Sequence, residues 1–166
     1  MKKALDIMQS LKFTHYDIVF QEVPNETTLV FNISNCPHHC KGCHSTYLSK
    51  DIGELLLPNI NQVIEKYKNQ ITCVCFMGGD QNMEELEGCL KIVKGYNLKT
   101  CVYSGLDDVN EFKHVFSYLN FVKIGSYNQL LGGLSNITTN QIFYEIDQEN
   151  NNKLHDKTYL FRKAYV

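Results

Sequence analysis

Apolar and polar positions change period several times along the chain, and each change marks an element. Tyr16-Asp17-Ile18-Val19-Phe20 and Thr28-Leu29-Val30-Phe31-Asn32-Ile33 are rich in β-branched and aromatic residues. Such residues suit a pleated, half-buried surface, so both runs are read as strands. Pro24-Asn25-Glu26 between them carries turn chemistry, which predicts an opening β-hairpin. The period then becomes helical, with Ile60, Val63, Ile64 and Tyr67 on one face, before the strand-like run Ile71 to Met77. Met83, Leu86, Leu90 and Val93 form a second helical stripe, with Asn82 as its expected cap and Glu85 three residues on. Thr100-Cys101-Val102-Tyr103 reads as the next strand. Asp108 and Glu111 open a third helix, striped by Val109, Phe112, Phe116 and Leu119, and Phe121-Val122-Lys123-Ile124 repeats the strand pattern.

Strand and helix thus alternate from about residue 27 to about residue 125, which argues for parallel strands joined by helical crossovers. A doubly wound sheet and part of a β/α barrel both satisfy that order. Four such strands cannot close an eight-stranded barrel. The expected fold is therefore α/β, an open partial (β/α) barrel of parallel strands preceded by an N-terminal β-hairpin. Gln141 to Ile146 is expected as one more strand and Asp147 to Asp156 as a polar, Asn-rich loop. Lys157 to Val166 alternates aromatic and basic residues, as an edge strand or docking segment does.

Length and composition change little in this picture. The 166 residues suffice for one core, and no internal repeat or linker divides them, so a single domain over 1–166 is expected. A formal net charge of −2 leaves no electrostatic footprint for nucleic acid or an anionic membrane surface. Asp6, Gln9, Ser10 and Lys12 interrupt any apolar core after Met1-Lys2-Lys3, so no secretory leader is expected. Apolar runs stop at about seven residues, well short of a membrane span. Seven cysteines without an export signal then point to a reducing, cytoplasmic setting, where cysteines serve as ligands, catalytic thiols or core residues.

Three of the seven stand in Cys36-Pro37-His38-His39-Cys40-Lys41-Gly42-Cys43, directly after the predicted strand ending near Ser34. Spacings of three and two residues let one short loop turn Cys36, Cys40 and Cys43 toward a common centre. Soft thiolates select zinc, copper(I) or iron–sulfur clusters. A four-iron cluster normally takes four cysteines, so three leave one iron open to another ligand. The alternative is a structural zinc site with His44 or His38 as fourth ligand, making the chain a non-catalytic interaction module. Zinc usually takes two separated ligand pairs, and no second pair is present. Cys73, Cys75 and Cys101 fall inside predicted strands and are read as core residues.

The C-x3-C-x2-C spacing after the first barrel strand resembles the signature of radical S-adenosylmethionine enzymes. In that family the open iron of a [4Fe-4S] cluster chelates the amino and carboxylate groups of S-adenosylmethionine. Reductive cleavage then gives methionine and a 5′-deoxyadenosyl radical. Gly78-Gly79-Asp80 resembles the family's Gly-Gly-Glu/Asp-Pro segment near the methionine amino group, with Gln81 where proline is usual. Independently of the family, paired glycines admit a ligand close to the backbone, a carboxylate suits an ammonium group, and a turn after a strand is the plain alternative. Many members carry an aromatic residue where Gly42 stands. Gly42-Cys43-His44 resembles the version in small activating enzymes, which implies a contact of His44 with adenine; an exposed loop histidine is the alternative. Ser104, before Gly105, stands where the family contacts the methionine carboxylate or ribose.

Short length, Gly132-Gly133-Leu134 and the late Thr138-Thr139-Asn140-Gln141 are most similar to the activating proteins of anaerobic ribonucleoside-triphosphate reductase. The likeness extends over roughly residues 16–146. It implies a glycyl-radical-generating oxidoreductase whose partner is that reductase, fed by a low-potential donor such as flavodoxin or ferredoxin. It implies no catalytic side chain beyond cluster and cofactor, because hydrogen-atom transfer moves proton and electron together. The late segment is expected to act as a structural loop, its polar side chains bonding nearby backbone. An activase for another glycyl-radical enzyme, such as pyruvate formate-lyase, is the nearest alternative.

Overall fold

The computed structural model describes residues 10–162. The stretch Met1 to Gln9 and the end of the aromatic–basic tail, Lys163 to Val166, lie outside the described residues. Eight strands form one open sheet: β1 Lys12–Val19, β2 Thr28–Ile33, β3 Glu54–Leu55, β4 Cys73–Met77, β5 Lys99–Tyr103, β6 Phe121–Ile124, β7 Ile142–Asp147 and β8 Lys153–Asp156. Their order across the sheet is β3-β1-β2-β4-β5-β6-β7-β8. The middle four, β2, β4, β5 and β6, are parallel, whereas both flanks pair antiparallel. The expected opening hairpin is present as β1–β2, with Asn25 in the left-handed region at its turn.

The parallel strands follow one another in chain order, which requires each crossover to step the same way across the sheet. Helix α1 (Leu56–Tyr67), helix α2 (Met83–Gly95) and a 3₁₀ segment (Val109–Tyr118) make those crossovers. Their apolar faces, including Ile60, Ile64, Leu90 and Phe112, share one core with Leu29, Phe31, Val74, Phe76 and Val122 of the strands. Because strand side chains alternate between faces, Val30, Cys73, Cys75, Cys101 and Phe121 face the other way. There they pack with Val23, Leu134 and Phe143. Helices on one face only exclude the doubly wound alternative, and the sheet remains open.

Phe76 is fully buried at the centre and its ring stacks on Phe31 at 5.8 Å. Phe76→Ala is expected to cost about 3–5 kcal/mol, the usual range for an emptied aromatic core site. Urea denaturation against the unsubstituted chain measures it.

Two local expectations change, and the choice left open for the tail is made. The third helix is 3₁₀ throughout, with Asp108 capping the Asn110 N–H at 2.9 Å. Buried Val109, Phe112 and Val115 recur every three residues, which is the 3₁₀ period. The polar loop after β7 is instead a tight connection into β8, turned by Asn151 and Asn152 at φ 54° and 58°. Asn tolerates that region because its short side chain can bond locally. The tail, over its described part, is a docking segment: the 3₁₀ turn Thr158–Phe161 seats Phe161 on Phe143 at 5.0 Å. No helix of the described residues is long and apolar enough to cross a membrane.

Candidate metal centre

The carboxyl ends of β2, β4, β5 and β6 converge on one edge of the sheet, the usual place for a ligand crevice in α/β folds. Four segments meet there: the cysteine loop after β2, Gly78-Gly79-Asp80 after β4, Ser104-Gly105 after β5, and the end of β6 with Gly125. The cysteine loop is fastened at both ends by backbone bonds. Ser34 N–H donates to Lys12 O at 2.9 Å, Asn35 N–H to Lys50 O at 3.0 Å and Cys36 N–H to Leu48 O at 2.9 Å. Cys43 N–H donates to Cys40 O at 3.1 Å, and the Ser45 N–H reaches Cys43 Sγ at 3.3 Å.

Cys36, Cys40 and Cys43 are all partly exposed and free. Burial pushes the Cys36 thiol up, the His38 backbone N–H draws it down, and the negative charges of Asp80, Cys40 and Cys43 add to the rise. The Cys36 sulfur thus lies within the field of the other two. Cys73, Cys75, Cys89 and Cys101 are fully buried. Burial pushes Cys89 up to about 12, and Cys73 and Cys101 well above the ordinary value. A thiol held protonated is neither nucleophile nor ligand. With apo protein at about pH 8, iodoacetamide is therefore expected to label three cysteines under native conditions and seven after denaturation. Mass spectrometry counts the adducts.

The donor set fits a four-iron cluster held at three corners: three soft thiolates on one anchored loop, with backbone N–H groups turned to two of the sulfurs. It fits a mononuclear zinc site poorly. Among the described residues no three Cys, His, Asp or Glu side chains come together closely enough to hold a single ion. Of the two proposed fourth zinc ligands, His38 is already committed to Asp80 and His44 lies on the outside of the loop. His38 Nε2 lies 2.6 Å from Asp80 Oδ2, and the His44 ring lies 5.5 Å from that of Tyr127.

Gly78 and Gly79 both adopt the left-handed region, at φ 109° and 108°, which frees the chain to turn directly off β4. Gln81 fastens that turn by donating to Ser34 O at 2.8 Å. Asp80 is drawn inward, its side chain 3% exposed, and accepts at Oδ2 from both His38 and the Ser104 hydroxyl. Gly42, at φ 79°, lies against Gln129, where a Cβ would come within 2.7 Å of Oε1. His44 sits on the outer side of the loop with its Nε2 3.5 Å from the Tyr127 hydroxyl. The late segment bonds backbone as expected: Thr138 to Leu131 O, Thr139 to Gly132 O, Asn140 to Ser126 O and Gln141 to Gly125 O.

The structure adds Lys123, which the residue pattern alone passed over. Its ammonium is buried at the end of β6 and donates to Ser104 O at 3.2 Å and Gly125 O at 3.0 Å. Desolvation lowers its pKa to about 8, while nearby Cys40, Asp80, Asp107 and Cys36 act in the opposite direction. A lysine inside the apolar run Phe121-Val122-Lys123-Ile124 was the available signal, since lysine is rarely buried without a partner.

An anchored three-thiolate loop at the carboxyl edge of parallel strands defines an iron–sulfur cluster-binding α/β domain. The comparison with known families agrees: the chain belongs to the 4Fe-4S single cluster domain family, which it matches over residues 26–129. That span contains the cysteine loop, Gly78 to Asp80, Ser104 and Lys123. No curated protein and no solved structure matches the chain.

Proposed function

We propose that this protein is a radical S-adenosylmethionine oxidoreductase that generates a glycyl radical on an anaerobic ribonucleoside-triphosphate reductase. The observation that carries the reading is a three-thiolate cluster loop facing Gly78-Gly79-Asp80 across the same sheet edge. A cluster held there together with bound S-adenosylmethionine would supply one-electron cleavage of the sulfonium S–C5′ bond and hydrogen-atom abstraction.

The chain's own residues bind and orient. Cys36, Cys40 and Cys43 hold the cluster and leave its fourth corner to the cofactor. Gly78 and Gly79 admit the methionine end close to the backbone, and Asp80 accepts from its ammonium group. Ser104 fixes the Asp80 carboxylate, and His44 with Tyr127 offers a ring surface beside the loop for adenine. An open sheet suits a substrate that is itself a protein segment, which has to enter a site kept from water. No general base is required.

Anaerobically reconstituted protein, reduced and mixed with S-adenosylmethionine, is expected to release 5′-deoxyadenosine. Adding an anaerobic ribonucleoside-triphosphate reductase should produce a glycyl doublet in the electron paramagnetic resonance spectrum. Cleavage without that signal, or a signal on pyruvate formate-lyase instead, refutes the partner. A colourless protein with zinc and no iron refutes the whole reading.

A further inference from the structure

His38 stands between two cluster cysteines, yet its side chain is turned inward and only 18% exposed. Its Nε2 lies 2.6 Å from Asp80 Oδ2, the oxygen that also takes the Ser104 hydroxyl. A carboxylate only accepts, so Nε2 carries the proton. Ser104 is fixed in turn, because its Oγ accepts from the Leu106 N–H at 2.9 Å. Asp80 Oδ1 has no hydrogen-bond partner among the described residues. The main chain of His38 is also engaged, its N–H directed at Cys36. One residue thus joins a cluster ligand to the carboxylate on the neighbouring strand end.

Room for this contact is built into the next strand. A Cβ on Gly105 would come within 2.5 Å of the His38 ring, so only glycine lets the imidazole lie there.

We infer that His38 is a positioning residue: with Ser104 it holds Oδ2 of Asp80 and so presents Oδ1 as the acceptor for the ammonium group of S-adenosylmethionine. This rests on the proposed binding of that cofactor at Asp80. Two donors on one oxygen fix the plane of the carboxylate. Without the imidazole, Ser104 alone leaves it free to turn about Cβ–Cγ, and the cofactor must then order it at the cost of affinity.

The test is calorimetric titration of S-adenosylmethionine into anaerobically reconstituted protein, with iron content measured in parallel. His38→Phe keeps a ring and removes the donor, so iron is expected to stay at the wild-type level. Its Kd is expected to rise about ten-fold, as for a lost hydrogen bond to a charged group. His38→Gln, which retains a donor, should recover part of the affinity. In an Asp80→Asn background, His38→Phe should have no further effect, because its action passes through that carboxylate. An unchanged or tighter Kd, an additive loss in the double variant, or iron lost from both His38 variants overturns the inference. If the wild-type protein binds the cofactor and the His38 variants match it, only this inference falls. If the wild-type protein binds none, the functional reading falls and takes this one with it.

Discussion

Cys40→Ala is expected to remove the four-iron cluster and S-adenosylmethionine cleavage together, whereas Cys101→Ala leaves both in place. Cys40 sits mid-loop, in the field of Cys36 and close to Lys123. No spare thiolate can replace it, because the other four cysteines are fully buried, three in the sheet and Cys89 on the inner face of α2. Cys101 pairs in register with Cys75 on the face away from the helices, below the site. Its loss removes one sulfur from the core and costs some stability without touching the cluster. Iron and sulfide analysis together with visible absorption separates the two variants. Equal loss of iron in both would mean that the buried cysteines take part in holding the cluster.

Asp80→Asn is expected to raise the Kd for S-adenosylmethionine roughly thirty-fold or more while iron content stays unchanged. Truncating or neutralising one partner of a buried, hydrogen-bonded charge pair costs about 2–5 kcal/mol, and each 1.4 kcal/mol is ten-fold. The amide oxygen can still accept from His38 and Ser104, so the local fold is kept and the charge alone is lost. Calorimetry on reconstituted protein measures the affinity. A Kd within two- or three-fold of wild type would place the ammonium group elsewhere, and lost iron would make Asp80 part of the loop's fold instead.

A substitution at Gly105 reports on the same site from another strand. Gly105→Ala is expected to displace the His38 ring and weaken cofactor binding about as far as His38→Phe does. Unchanged affinity in that variant would show that the loop yields without moving the imidazole.

Much of the fold was legible because hydrophobic period tracks burial. The β2 run Thr28–Ile33 and the β6 run Phe121–Ile124 have the bounds their sequence predicts, and Asn82 caps α2 by accepting from the Glu85 N–H at 3.1 Å. Where the period was ambiguous, tertiary packing chose. Val109, Phe112 and Phe116 fit an α-helical stripe, but Val115 completes a tighter three-residue repeat against the sheet. The segment Lys153–Asp156 is too polar to declare itself, and becomes β8 because β7 offers it an edge to pair with.

The sequence by itself determined the candidate cluster ligands. Cys36, Cys40 and Cys43 are close along the chain, so their spacing alone puts three thiolates on one loop. It also marked Asp80, through the paired glycines after a strand, whereas Ser104 was marked only by the family resemblance. Only the tertiary structure decided that Asp80, Ser104, His38 and Lys123 share one edge. His38 and Asp80 are 42 residues apart and Lys123 a further 43, and such distant groups meet only when parallel strands align their carboxyl ends. The side-chain directions were decided there too: the burial that turns His38 inward to Asp80 and leaves His44 outside on Tyr127 belongs to the packed loop, not to the motif.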